Sequence, residues 1–208
     1  MNLKAVFFYS LSVFLFYSCK ETSVKTQESA PADISQYHQD TPALIEADYL
    51  AMGKNRATET QAVLAKNLMG AISRGGAPYA LDFCNAKAIF LTDSMSRELN
   101  SGIKRVSDKP RNPGNLANEM ELAHIQSLKD QMSKGEVPAG KIHTIDDKII
   151  GLYPIVTNAM CLQCHGKKNT DINTATLRKI QKLYPGDKAT GYGINELRGL
   201  WVVEMNKK

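Results

Sequence analysis

The sequence predicts an α+β fold: an antiparallel sheet together with several helices, a long one at the N-terminal side. Three patterns carry that reading. Apolar residues recur at helical spacing through most of 44–133. KIHTI and KIIGLYPIV read as strands and are separated only by Asp146-Asp147, the layout of a hairpin. A further strand-like stretch, LRGLWVVEM, closes the chain, so helices come first and strands mostly later.

Taken in order, Leu50, Ala57, Leu64, Leu68, Ala71 and Ile72 define a long amphipathic helix over about 44–73. Gly75 and Gly76 end it, and Pro78 suits the first turn of a second helix over about 78–98. That helix places Leu81, Cys84, Ala88 and Leu91 on one face. Ile103 to Ser107 alternates as a short strand, and DKPRNPGN is a loop dense in Pro and Gly. A third helix over about 115–133 points Leu122, Ile125, Leu128 and Met132 inward. Asn115 and Glu119 stand at its start, where capping and the helix dipole favour them. After the hairpin, Leu177, Ile180 and Leu183 suggest a short helix. YPGDKATGYG is a loop that leads to the closing strand.

The chain of 208 residues is one domain plus its termini. With 43% hydrophobic and 23% charged residues it is globular, which excludes a disordered or collagen-like chain. The net charge of +5 is not gathered into any Lys/Arg run, so no nucleic-acid partner is expected. Residues 1–19 read as a secretory signal: Lys4, then an apolar run ending at Ser18-Cys19. That ending resembles a bacterial lipobox, with Phe16 where Leu usually stands, so Cys19 is the expected lipidation site. An uncleaved anchor helix is the alternative. No 18-residue apolar span follows, so no transmembrane helix is expected in the mature chain. Residues 20–43 are polar and read as a flexible tether, with His38 solvated in it. The expected location is extracytoplasmic, lipid-anchored to a membrane, with the folded domain over 44–208.

Chemistry enters at Cys161-Leu162-Gln163-Cys164-His165, a C-x-x-C-H motif. Two thiols three residues apart can each add to one vinyl group of a single haem, and the adjacent histidine then ligates the iron. One covalent haem c is the expected cofactor, and export suits its attachment. A thioredoxin-like dithiol usually has an aromatic before the first cysteine, where Met160 stands here. A zinc site would need ligands from Cys84, His124 or His143. For the second axial position the residues leave Met160, Met120, His124, His143 and Cys84 open.

Several segments together resemble a family of bacterial single-haem c-type proteins with a PAS-like fold, formerly a domain of unknown function. They are ISRGGAPYALDFCNAKA, RVSDKPRNPGNLANEMEL, MCLQCHG, YPGDKATGYG and LRGLWVVEM, spread over about 45–205. In one loop this chain has Leu116-Ala117-Asn118 where that family has Pro-Asp. The resemblance implies a central antiparallel sheet with flanking helices. It also implies His165 and Cys84 as an unusual His/Cys axial pair. Arg105, Arg111 and Arg198 are candidates to neutralise haem propionates, since guanidinium pairs well with carboxylate.

Two function classes follow. One is a redox or gas-sensing module, responding to iron reduction or a diatomic gas ligand. The other is a monohaem electron-transfer cytochrome. With both axial positions filled, substrate has no place at iron, so no enzyme is expected. A zinc or dithiol protein is the third class. The resemblance implies that in larger relatives such a domain sits ahead of signalling modules, whereas this chain ends at Lys208 after the last expected strand. A sensor would therefore work through a separate signalling protein, and a carrier through a redox partner.

Overall fold

The computed structural model describes residues 41–207. The expected signal sequence, Cys19, His38 and most of the tether lie outside the described residues. The long helix, α1, spans Thr41–Glu98 and so already includes the last tether positions. Its backbone leaves helical values only at Gly75 (φ −159°, ψ 21°) and Gly76 (φ 70°, ψ −171°). Two arms therefore meet where the glycine pair was expected to end one helix. The left-handed φ at Gly76 is a conformation that a Cβ disfavours. Pro78 follows in the first turn of the second arm, where its missing N–H has no helical acceptor.

The sheet has four antiparallel strands in the order β1-β4-β3-β2. They are β1 (Gly102–Val106), β2 (Lys141–Ile145), β3 (Lys148–Val156) and β4 (Leu197–Asn206). β2 and β3 form the expected hairpin across Asp146-Asp147, with Asp146 at φ 52°. β4, the last strand made, lies between β1 and β3 and carries the register of the whole sheet.

Each face of the sheet buries its own core. On one, Tyr49 and Ala57 of the first arm pack with Ile103, Ile149, Tyr153, Trp201, Val203 and Met205. Gly53 makes room there for Tyr153, whose hydroxyl donates to the Leu50 carbonyl at 3.0 Å. On the other face, α2 (Glu119–Ser133) packs Ile125 and Leu128 against Val106, Leu152, Leu200 and Val202. Full burial of one such side chain contributes roughly 1.5–3 kcal/mol.

α2 begins later than its sequence pattern suggested. Pro113–Asn115 is a short 3₁₀ turn instead, capped by Asn112. The segment that follows pairs with the end of β1: Ser107 N–H donates to Asn115 O and Ala117 N–H to Ser107 O. The cap is therefore Asn118 with Glu121, a reciprocal capping box, and not Asn115 with Glu119. That start turns Glu121 inward and leaves Leu122 exposed. Glu121, 1% exposed, is satisfied by its cap and by Lys104 at 2.8 Å. Two short helices complete the fold. α3 (Leu162–His165) follows the 3₁₀ turn Ala159–Cys161. α4 (Thr174–Leu183) buries Ile180 with Leu81 of the second arm and Ile172. Among the described residues, no helix is long and apolar enough to cross a membrane.

Two glycines of α1 should respond oppositely to alanine. Gly70 lies in regular helix with open space at its Cβ, so Gly70→Ala is expected to stabilise by about 0.5–1 kcal/mol. Gly76→Ala must hold φ 70° and is expected to destabilise by about 1–2 kcal/mol. Urea denaturation of both variants measures the two signs. A Gly76→Ala protein as stable as the parent would show that the break does not need a left-handed residue.

Candidate functional site

A cavity of about 1100 Å³ lies between the two arms of α1, the face of β1 and β4 that the first arm covers, and the turn at 159–165. The cysteine pair, His165, Cys84 and the three arginines all line it. Cys84 comes from the second arm, Arg105 from β1 and Arg111 from the loop after it. Cys161, Cys164 and His165 come from the turn, and Arg198 from β4. Apolar walls come from both arms, Leu64, Leu68 and Ile72 on one and Leu81, Phe83 and Ala88 on the other.

The cysteine pair is placed by local capping. Asn158 accepts from the N–H groups of Met160 (3.0 Å) and Cys161 (3.3 Å), which starts the 3₁₀ turn. α3 continues it, so Cys161 and Cys164 stand one helical turn apart. Cys84, Cys161 and Cys164 are all free thiols. Burial pushes Cys164 up to about 11, with Arg111 pulling the other way and Cys84 and Cys161 adding to the rise. Burial also raises Cys84, against the pull of Arg105 and Arg111.

His165 sits with Nδ1 2.7 Å from the Ala189 carbonyl oxygen. A carbonyl only accepts, so the proton is on Nδ1 and the lone pair is on Nε2. The Arg198 Nε, 3.4 Å from the same Nδ1, then packs against it without bonding. Burial first, then the positive Arg111 and Arg198, hold His165 well below its ordinary range. The ring is therefore neutral, the state that ligates a metal.

The three arginines have different surroundings. Arg111 is committed: Nε reaches Asp187 at 3.0 Å and Nη2 donates to the Cys164 carbonyl at 2.6 Å. Arg198 donates to Ser107 Oγ at 2.8 Å and lies over the Tyr192 ring. Arg105 lies 5.5 Å over the Trp201 ring and, among the described residues, has no hydrogen-bond or ion-pair partner. Burial lowers its pKa, with Cys84 acting the other way. An unpaired guanidinium lining a cavity is a ready counter-charge for an anionic group.

Of the axial candidates, Cys84 and Met160 line the cavity, whereas Met120, His124 and His143 do not. His143 is opposite Ile150 in the β2–β3 register, and Ile150 packs in the core beneath α2. His124 stands on α2 itself. Both histidines thus belong to the far face of the sheet and cannot complete a zinc site with the cysteine pair. Sequence reading missed Trp201, Asp187 and the Ala189 carbonyl as parts of the site. Nothing in the spacing marks them, because Arg111 and Asp187 are 76 residues apart.

The site's chemistry, two thiols and a neutral imidazole beside an unpaired cation, suits an anionic porphyrin with reactive vinyl groups. A family model described as Tll0287-like matches residues 21–206. Among solved structures the chain is similar to the cyanobacterial heme-protein Tll0287. The two share 21% identity at a TM-score of 0.53, over 74% of this chain and 94% of that one. Likeness at that identity is a likeness of fold. No curated protein matches the chain.

The far-face histidines carry a test of their own. Burial first, then Lys141 and His143, lower the pKa of His124 from 6.5. The unfolded chain then binds the proton more readily, so stability falls as pH drops below 6.5. His124→Gln should flatten that fall in denaturation curves taken from pH 7.5 to pH 5. An acid limb as steep as the parent's would assign the loss to other groups.

Proposed function

The chain belongs to the Tll0287-like family, and from that premise we propose that it is a c-type haem protein acting as a redox or gas-sensing module. The observation that carries the reading is the shared cavity. Cys84 of α1 and Cys161, Cys164 and His165 of the turn at 159–165 line one space, with Arg105 unpaired beside them.

Haem, when bound, supplies a one-electron iron couple. Cys161 and Cys164 would hold it through one thioether each, and His165 would offer Nε2 as the first axial donor. Cys84 would offer its sulfur as the second, from the second arm of α1. Arg105 and Arg198 are the arginines with charge to spare for propionates. Arg111 is already spent on Asp187 and the Cys164 carbonyl, and serves the fold of the turn. Filling both axial sides with protein donors suits binding and electron exchange, not turnover of a substrate at iron. Export and lipidation at Cys19 belong to the same reading, which places the module outside the inner membrane. Its partner would be a separate signalling or redox protein.

Expression with a c-type maturation system should add one haem mass and leave colour after acid–acetone extraction. A colourless protein holding stoichiometric zinc would overturn the reading. Ferric paramagnetic resonance should show a low-spin His/thiolate signal, lost in Cys84→Ala while the covalent haem stays. An identical signal in both proteins would remove Cys84 from the iron. Carbon monoxide binding by the reduced wild type supports sensing. Binding by reduced Cys84→Ala alone would shift the reading to an electron-transfer cytochrome.

The Cys19→Ser variant should lose its acyl mass and stop partitioning with membranes. Unchanged partitioning would argue for an uncleaved anchor.

A further inference from the structure

We propose that the Arg111–Asp187 ion pair is a positioning device for the His165 imidazole, and through it sets the redox behaviour of the group His165 holds. The inference rests on the haem reading above and goes beyond it, because neither residue is a ligand or a covalent anchor.

The contacts form a closed ring. Asp187 Oδ1 accepts from Arg111 Nε at 3.0 Å and from the Ala189 N–H at 3.0 Å. The Ala189 carbonyl in turn accepts from His165 Nδ1 at 2.7 Å. Arg111 Nη2 donates to the carbonyl of Cys164, the residue before His165, at 2.6 Å. It also reaches the Ala189 carbonyl at 3.4 Å. One guanidinium therefore touches both the backbone that carries the histidine and the carbonyl that orients its ring. A lysine has no fork with which to do both.

The pair is hard to explain as a clamp alone. The side chains are only 11% and 7% exposed. A pair so buried gains little net stability over apolar packing, because desolvation offsets the attraction. The loop that carries Asp187 and Ala189 also has its own backbone ties. Lys188 N–H donates to Pro110 O, Gly191 N–H to Gly166 O and Tyr192 N–H to His165 O. What the pair adds is a fixed carbonyl at Nδ1. A held acceptor there fixes the tautomer and makes Nε2 a stronger donor, which favours the more highly charged state of a bound metal.

The test uses the haem-loaded protein and reads its reduction potential. Loosening the Ala189 carbonyl weakens donation by His165, so Asp187→Asn and Arg111→Gln should both raise the potential. Charge alone predicts opposite signs, since loss of a nearby negative group raises the potential and loss of a positive one lowers it. The Nδ1 proton of the reduced protein should also exchange with solvent about tenfold faster in both variants. Arg111→Lys keeps the charge without the fork and should also raise the potential. It carries the test if Arg111→Gln fails to mature. Asp82→Asn, which removes the Lys179 pair between α1 and α4, should leave both readouts unchanged. Opposite signs in the first two variants, or no shift in either with haem in place, would overturn the inference while leaving the haem reading intact. A wild type without haem would overturn both.

Discussion

An unbroken helix of 58 residues would run about 87 Å, roughly twice the width of a domain this size. One arm would then project into solvent, taking Cys84 with it. The break at Gly75 and Gly76 prevents this. The first arm is free to cover the sheet face with Tyr49 and Ala57, and the second to meet α4 through Leu81. The cavity exists because two arms of one helix approach it from different directions. The requirement reduces to one left-handed residue, Gly76, which glycine meets without the strain a side chain would bring.

A second constraint is electrostatic. Three guanidinium groups line the same cavity, and only Arg111 has a carboxylate partner among the described residues. Beside them the Cys84 and Cys164 thiols are held protonated by burial, and the His165 imidazole is held unprotonated by burial and by the arginines. The cavity therefore carries a positive excess around soft, neutral donors. That combination suits a ligand that brings its own carboxylates and a metal.

Much of the fold was legible along the chain. The hairpin at Asp146-Asp147, the closing strand and the glycine break in α1 stand where local pattern put them, because turn chemistry and periodicity act within a few residues. The start of α2 was misplaced for a reason of tertiary origin. Asn115 and Asn118 are both good caps, and the choice fell to Asn118 because β1 claims the preceding backbone through Ser107. Glu121 then took the inward position that the pattern had assigned to Leu122, since a cap and Lys104 satisfy its carboxylate.

The proposed cofactor chemistry starts from five consecutive residues, Cys161 to His165, whose two thiols and imidazole stand within one turn, as attachment to one porphyrin would require. Sequence also supplied the resemblance that singled out Cys84. Local pattern alone did not say which of Cys84, His124 and His143 faces the cavity, nor which of the three arginines is already paired. Those outcomes turn on which face of the sheet a residue occupies and which partner reaches it. The deciding contacts span 53, 76 and 24 residues: Arg111 to Cys164, Arg111 to Asp187, and His165 to Ala189. No local rule constrains pairs so far apart, and only the folded sheet, with β4 at its centre, brings them within bonding distance.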